Sequence, residues 1–363
     1  MFKWNELKNL APLADSKRRQ FFGNTITFSR NVFIPLVNLC RNKCAYCGFR
    51  REPWEKDARV LYPDEVKSML LQGKKAGCSE ALFTFGEKPE EVYPSVRREL
   101  KKIGGYSSVL EYLYDMCLEA LKIGLLPHSN PGVLTEEEIR ALKEVNASMG
   151  LMLENISERL CGKGGPHEHS PGKHPKLRLN TIAHAGKCRI PFTTGLLIGI
   201  GETMEEVIAS LKAICILHEK YGHIQEVIIQ NFTPKVNTPM SNHPPPSYEY
   251  YSTVVSLARI MLPGDVSIQI PPNLNQEHIA SLIRVGANDL GGISPITPDY
   301  INPSNPWPCL EKVEEAVAKV GATLRERLPI YPKYVKREEF LSEIVADVVA
   351  SLADEEGYRR RYP

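Results

Sequence analysis

The sequence predicts a (β/α)8 barrel, a closed ring of eight parallel strands in which a helix follows each strand. From residue 31 to residue 321, short β-rich runs alternate about eight times with amphipathic helical patterns. Such repeated units imply parallel strands, and eight of them over roughly 290 residues match the size of a barrel. An open, doubly wound sheet remains the alternative, because strand number alone does not distinguish the two.

The elements follow in order from residue type and helix boundaries. Strands are predicted where β-branched and apolar residues cluster, at 31–37, 80–85, 125–130, 147–154, 191–200, 225–232, 265–272 and 287–292. Helices are predicted at 63–77, 106–124, 135–145, 175–187, 203–222, 245–262, 276–286 and 309–321. Pro63 and Thr135 are typical first-turn and N-cap residues, and Gly77 is a typical stop.

Three segments are expected along the chain. An N-terminal extension covers residues 1–30, the barrel domain covers 31–325, and a C-terminal helical tail covers 326–363. Residues 336–363 are predicted to form one amphipathic helix that packs on the outside of the barrel. Both extensions are expected to be helical.

Composition restricts the class of partner. The formal net charge is only +2, which argues against nucleic acid or an anionic membrane as the main partner. The longest apolar runs are too short to span a bilayer, and the charged N-terminus lacks the apolar region of a signal peptide. We therefore expect a cytoplasmic protein.

The cysteines carry the clearest chemistry. Cys40, Cys44 and Cys47 follow the first predicted strand with the spacing C-x3-C-x2-C. Three thiolates suit a four-iron cubane with one iron left open, because an electron-transfer cluster takes four cysteines. A structural zinc site would need a fourth ligand nearby, and unligated cysteines do not suit so polar a loop. A cluster is therefore favoured over zinc and over no metal.

Unusual sequences fall where strands end, which is where βα-barrels carry their active sites. His128, Asp289 and Tyr300 are the candidates for acid–base catalysis. The segment "GPHEHSPGKHP" contains His167, His169 and His174, but its Gly and Pro content indicates a mobile loop. Gating or substrate contact is favoured there over a second metal site.

The cysteine spacing, with the aromatic Tyr46 before the last cysteine, resembles the radical S-adenosylmethionine (radical SAM) superfamily. The resemblance implies a barrel of the radical SAM type and a [4Fe-4S] cluster held by the three cysteines. Its open iron would bind the methionyl amine and carboxylate of S-adenosylmethionine. An electron from the cluster would then split the sulfonium and give a 5′-deoxyadenosyl radical.

Two further motifs resemble that superfamily and lie in the expected order. "FGE" at 85–87 resembles its Gly-Gly-Glu motif, which implies that Gly86 and Glu87 hold the methionyl ammonium. "GLLIGIGE" resembles its G-x-I-x-G-x-x-E motif, although leucine replaces isoleucine. The resemblance also implies that Tyr46 belongs to the cofactor-binding residues. It further implies Leu197, Gly199 and Glu202 near the adenine, Glu154 at the ribose hydroxyls and Arg178 at the methionyl carboxylate. Arg178 could equally be a solvated helix charge.

A finer resemblance covers most of the chain. "QNFTPKVNTPM" and "GANDLGGISPITPDYINPSNPWP" resemble the cyclising subunits of the deazaflavin synthases. This implies a lyase that cyclises a tyrosine–aminouracil adduct with loss of ammonia. The partners implied are a subunit that makes the adduct and a reductant protein that the sequence does not identify.

Polar side chains at late strand ends are expected to contact that substrate: Gln230, Asn231, Asn273, Asn288 and Asp289. Three alternatives stay open: the adduct-forming subunit, another barrel-type radical SAM enzyme, and a zinc-binding scaffold. The six scattered cysteines show no second cluster motif, which disfavours enzymes that need an auxiliary cluster.

Overall fold

The computed structural model describes residues 10–360, and its strands form the predicted closed barrel. Parallel pairing runs from β2 through β8 to β1, and β2 also pairs with Asn31–Ile34 of β1, which closes the ring. This closing pair excludes the open sheet. The strands are β1 Thr25–Ile34, β2 Glu80–Thr84, β3 Leu126–Asn130, β4 Ser148–Gly150, β5 Phe192–Ile198, β6 Ile224–Asn231, β7 Ser267–Gln269, β8 Asp289–Ile293 and β9 Thr323–Arg327.

Helices cover the outside of this ring. They are α1 Ala11–Phe22, α2 Pro63–Lys75, α3 Pro94–Gly104, α4 Val109–Ile123, α5 Glu136–Lys143, α6 Pro175–Lys187, α7 Met204–Tyr221, α8 Tyr248–Met261, α9 Ile279–Arg284, α10 Leu310–Ala318, α11 Pro332–Val335 and α12 Glu343–Leu352. All seven residues of β5 are buried, as expected for a parallel strand covered on both faces. Within residues 10–360, each helix is too short or too polar to cross a lipid bilayer.

Local sequence explains where several helices begin and end. The Thr135 and Thr203 hydroxyls accept hydrogen bonds from the backbone N–H groups of Glu138 and Glu206, which complete two capping boxes. Proline opens α2 and α6, as the sequence predicted. The helix boundaries follow from these caps, and they place the strand–helix loops at one rim of the barrel.

Three predictions of local structure were wrong. β1 begins at Thr25 rather than residue 31, and α3 was not predicted at all. Residues 336–363 do not form one helix, because a turn of 3-10 helix at Glu338–Phe340 precedes the ten-residue α12, and Ala353 and Arg359 then form an antiparallel bridge. The last three residues of that predicted helix lie outside the described part of the chain.

A ninth strand extends the barrel at its amino-terminal end. β9 pairs with Thr25–Ser29 of β1, on the same edge of β1 that β2 uses further along. β9 therefore lies beneath β2, and its Arg327 enters the floor of the barrel. The sequence did not indicate this strand.

Candidate active site at the carboxyl ends of the strands

The cysteine loop lies at the carboxyl end of β1, over the barrel mouth. All three cysteines line a cavity of about 320 Å³. Gly86, after β2, packs directly against this loop, because a Cβ there would lie 1.8 Å from the Leu39 carbonyl oxygen. Only glycine permits this close approach.

Backbone and hydroxyl groups donate hydrogen bonds to two of the three sulfurs. The N–H groups of Asn42 and Glu87 donate to Cys40 Sγ at 3.4 and 3.1 Å, and Ser170 Oγ donates to Cys44 Sγ at 3.3 Å. Burial and the neighbouring Cys44 raise the pKa of Cys40 to about 12. The protein alone therefore does not make Cys40 a thiolate, whereas bound iron would supply the required positive charge.

The three thiols do not form a site for a single metal ion such as zinc. Among residues 10–360, no three His, Cys, Asp or Glu side chains lie close enough to ligate one metal ion. A mononuclear zinc site would hold its sulfur ligands roughly 4 Å apart, whereas a cubane binds each thiolate through a different iron. Cys40, Cys44 and Cys47 are the residues that would hold it.

The His-rich segment is hydrogen-bonded to the cysteine loop. The N–H groups of Lys43 and Ala45 donate to the carbonyls of His169 and Pro166 at 3.0 and 2.9 Å. The Gly172 N–H donates to Asn42 Oδ1 at 2.8 Å. We call residues 162–174 the clamp loop, because these hydrogen bonds attach it to the cysteine loop.

The three histidines of the clamp loop do not converge. His167 is buried, and its Nε2 lies 2.9 Å from the Tyr46 hydroxyl. Burial and Lys173 lower the pKa of His167 to about 3, so this imidazole is neutral. His169 is exposed, and His174 lies near Glu158 at 3.8 Å. His167 therefore positions Tyr46, which lines the cavity.

Arg178 is buried, so it is not the solvated helix charge that the sequence left open. It is 3% exposed, and its Nη1 donates to the Met152 carbonyl. Its Nε has no hydrogen-bond partner although it is buried, and the side chain lines the cavity. An orphaned guanidinium donor there is a fitting partner for an anionic group such as a carboxylate.

Glu154 lies beside Arg178 in the left-handed region, with a φ of 63°. Its carboxylate pairs with Lys173, a residue that the sequence analysis missed. Burial acts to raise the pKa of Glu154, but Lys173 and Arg178 outweigh it and the pKa is lowered. The carboxylate is therefore ionised and faces the cavity, where it could accept hydroxyl hydrogen bonds.

Two of the carboxylates that are predicted to bind the cofactor already pair with, or accept hydrogen bonds from, groups of the protein. Glu87 pairs with Arg41 at 2.8 Å and accepts from the Val133 N–H at 3.1 Å, while also lining the cavity. Glu202 accepts from the N–H groups of Gly199 and Ile200 at 2.8 Å each. Glu202 thus holds the turn after β5, where Gly199 has a φ of 94°, and Leu197 lines the cavity.

A second, inner cavity of about 190 Å³ lies within the barrel. Its walls share four residues with the cavity beneath the cysteines, namely Asn130, Ile228, Gln230 and Ile301. Gln230 and Asn273 line the inner cavity as the sequence predicted. Asn231 instead accepts a hydrogen bond from Asn275 at 2.8 Å.

His128 lines the inner cavity in a defined tautomer. Ser148 Oγ donates to the Pro329 carbonyl at 2.9 Å, so it must accept from His128 Nδ1 at 2.6 Å. Nε2 is therefore left as an acceptor. Burial and Arg327 lower the pKa of His128 to about 4, so the ring is neutral.

The placement predicted for Asn288 and Asp289 was wrong. Both lie at the amino end of β8, on the floor of the barrel rather than at its mouth. Asp289 is fully buried and accepts two hydrogen bonds from Arg327 at 2.7 and 2.9 Å. Asn288 Oδ1 accepts from Arg259 and from the Ile268 N–H.

Tyr300 lies apart from both cavities described above. It lines an outer groove of about 680 Å³ beside the cysteine loop, with its ring 5.4 Å from that of Phe33. Burial raises its pKa. Of the three acid–base candidates, only His128 therefore faces the barrel interior as a potential proton acceptor.

Comparison with known proteins agrees with this geometry. Residues 34–214 match the family model of the radical SAM superfamily. Proteins called 7,8-didemethyl-8-hydroxy-5-deazariboflavin synthase are similar over most of the chain. The relative from Methanopyrus kandleri is 52% identical over 336 residues, covering 92% of this chain and 100% of its own. The relative from Methanocaldococcus jannaschii is 50% identical over 347 residues, covering 95% and 93%.

Solved structures share the fold at low identity. The FeFe-hydrogenase maturase HydG from Carboxydothermus hydrogenoformans has a TM-score of 0.72 and 21% identity, covering 94% of this chain and 76% of its own. Methylornithine synthase (PylB) has a TM-score of 0.66 and 21% identity, covering 89% and 90%. The chain belongs to the radical SAM superfamily and, within it, to the family of 7,8-didemethyl-8-hydroxy-5-deazariboflavin synthases.

Proposed function

We propose that the chain is the cyclising subunit of a deazaflavin synthase. Its substrate would be the adduct of a tyrosine-derived 4-hydroxybenzyl group with 5-amino-6-ribitylaminouracil. The product would be 7,8-didemethyl-8-hydroxy-5-deazariboflavin, released with ammonia, which makes the enzyme a carbon–nitrogen lyase. The observation that carries the proposal is the match over the full length of the Methanopyrus kandleri synthase, in a chain whose described residues form one barrel with one three-cysteine loop.

The cavity beneath the cysteines supports cofactor binding. When bound, a [4Fe-4S] cluster and S-adenosylmethionine supply a 5′-deoxyadenosyl radical there. Cys40, Cys44 and Cys47 would hold the cluster, while Arg178, with its unpartnered Nε, would bind the methionyl carboxylate. The ionised Glu154 would accept from the ribose hydroxyls.

The inner cavity supports the assignment of the substrate. It adjoins the cavity beneath the cysteines and is rich in amide side chains, including Gln269 and Asn273. Amides can pair with both the pyrimidine edge and the ribityl hydroxyls. Apolar walls such as Ile228 and Ile301 would shield a carbon radical from water.

We further propose that a second subunit supplies the adduct as a diffusible compound and that a separate reductant delivers the electron.

None of the nine cysteines forms a disulfide. Reduced thiols together with an iron–sulfur loop suit the cytoplasm, where thiols are kept reduced.

The test is an anaerobic assay of reconstituted protein with a strong reductant, S-adenosylmethionine and the synthetic adduct. Deazaflavin fluorescence and 5′-deoxyadenosine should appear together, and Cys44→Ala should lose both along with the cluster. Cys117→Ala is the matched control, because Cys117 is buried on α4 away from the cavity. Deoxyadenosine without deazaflavin would refute the substrate, and turnover of tyrosine with the free aminouracil would indicate the adduct-forming subunit instead.

A further inference from the structure

The inner cavity holds a buried amide that has no protein partner. Asn31, on β1, is fully buried, and neither its Nδ2 nor its Oδ1 makes a hydrogen bond within the described chain. Buried polar groups are almost always paired, because an unpaired one loses its hydration without compensation. Since Asn31 lines the cavity, its missing partner is expected to occupy that space.

The neighbouring strand is shaped to leave room for this amide. The pairing of β1 with β8 shifts register between Thr27 and Ser29, so β8 carries one extra residue. A Cβ on Gly292 would lie 2.0 Å from Asn31 Nδ2, and one on Gly291 would lie 2.1 Å from Gln269 Nε2. Gly291 also has a φ of 67°, which favours glycine. The glycine bulge therefore allows two amides to lie against β8.

A primary amide has a specific chemical complement. It offers one acceptor and two donors in a plane. The imide edge of a pyrimidinedione presents an N–H between two carbonyls, so an amide can accept from that N–H and donate to a carbonyl beside it. Ribityl hydroxyls do not require this pattern, and an aromatic ring cannot satisfy it.

We propose that Asn31 binds the imide edge of the substrate's pyrimidine ring, with Oδ1 accepting from N3–H and Nδ2 donating to an adjacent carbonyl. Gln269 lies within the same wall and faces the second carbonyl. This inference rests on the proposed function, because it assumes a pyrimidine substrate. The inference adds Asn31 as the residue that selects the pyrimidine ring and orients it beneath the cavity that the three cysteines line.

The experiment measures binding of the fluorescent product deazaflavin to the cluster-loaded enzyme. Asn31→Leu should raise its Kd about 10- to 100-fold, the range expected for a lost pair of buried hydrogen bonds. Deazaflavin methylated at N3 should bind the wild type with similarly weakened affinity, and Asn31→Leu should weaken it no further. That absence of additivity would link the residue to N3–H.

Two controls distinguish recognition from folding. Asn24→Leu changes an exposed asparagine just before the same strand and should leave the Kd unchanged. Asn31→Leu should melt at or above the wild-type temperature, because it removes an unpaired buried amide. If Asn31→Leu did not fold, Asn31→Ala should show the same loss of affinity.

The two proposals can fail separately. Unchanged affinity in both Asn31 variants would overturn the recognition role and leave an internal water as the partner of Asn31, while deazaflavin formation still stood. A wild type that neither bound nor produced deazaflavin would refute the proposed function, and this inference with it.

Discussion

Replacing Arg327 with methionine should strongly destabilise the protein. Arg327 is 4% exposed, and its guanidinium donates to Asp289 at 2.7 and 2.9 Å, while Glu226 lies 3.4 Å away. It also stacks over Tyr331 at 4.1 Å. Losing this cation leaves Asp289 as an uncompensated buried charge, which costs about 3–5 kcal/mol in the free energy of unfolding. That is a large part of the stability of a typical protein.

Arg325 supplies a matched control on the same strand. It also pairs with two carboxylates, including Asp354 at 2.8 Å, and stacks over Tyr358 at 3.7 Å. Its side chain is 31% exposed, so Arg325→Met should cost no more than about 1 kcal/mol. Urea unfolding of both cluster-loaded variants, followed by circular dichroism, measures the difference. Equal losses in the free energy of unfolding would refute the claim that burial makes the loss of Arg327 more costly than the loss of Arg325.

Three further perturbations test the floor, the cofactor pocket and the clamp loop. Burial and Asp289 raise the pKa of Glu226 to about 8, against an ordinary 4.5. The folded state therefore keeps a proton that the unfolded state has lost, so the free energy of unfolding should fall as pH rises from about 5 to 8. In Glu226→Gln, urea unfolding across that pH range should show a smaller fall in the free energy of unfolding. The same fall as in the wild type would contradict this. Arg178→Lys keeps the charge but loses Nε–H, so the KM for S-adenosylmethionine should rise about 10- to 100-fold in steady-state assays, and an unchanged KM would rule the contact out. Ser170→Ala removes the hydrogen bond to Cys44 Sγ. Potentiometric titration should therefore find the reduction potential of the cluster lower by about 40 mV, equivalent to about 1 kcal/mol. A higher reduction potential would contradict this expectation.

The strand–helix alternation could be predicted because its causes are local. Proline and threonine at helix starts, and apolar runs in buried strands, act over a few residues. The cysteine loop was predictable for a similar reason, because its three cysteines lie within eight residues. The cysteine loop is therefore the part of the site that neighbouring residues in the sequence are enough to predict.

The other parts of the site depend on contacts between distant residues. Ser170 and Cys44 are 126 residues apart, and nothing in a Gly- and Pro-rich segment indicates that it will pack against the cysteine loop. β9 was missed because "TLRER" is polar and resembles a surface segment. Its Arg327 is buried only because Asp289 neutralises it across the barrel floor, and the same pairing explains why Asp289 was misplaced at the mouth.

We propose above that this chain closes the deazaflavin ring with loss of ammonia. The most direct measurement is the stoichiometry of a single anaerobic reaction on the synthetic adduct, quantifying ammonia, deazaflavin and 5′-deoxyadenosine together. We expect one ammonia and one deazaflavin for each 5′-deoxyadenosine formed. Deoxyadenosine released from the adduct reaction without ammonia or deazaflavin would contradict it.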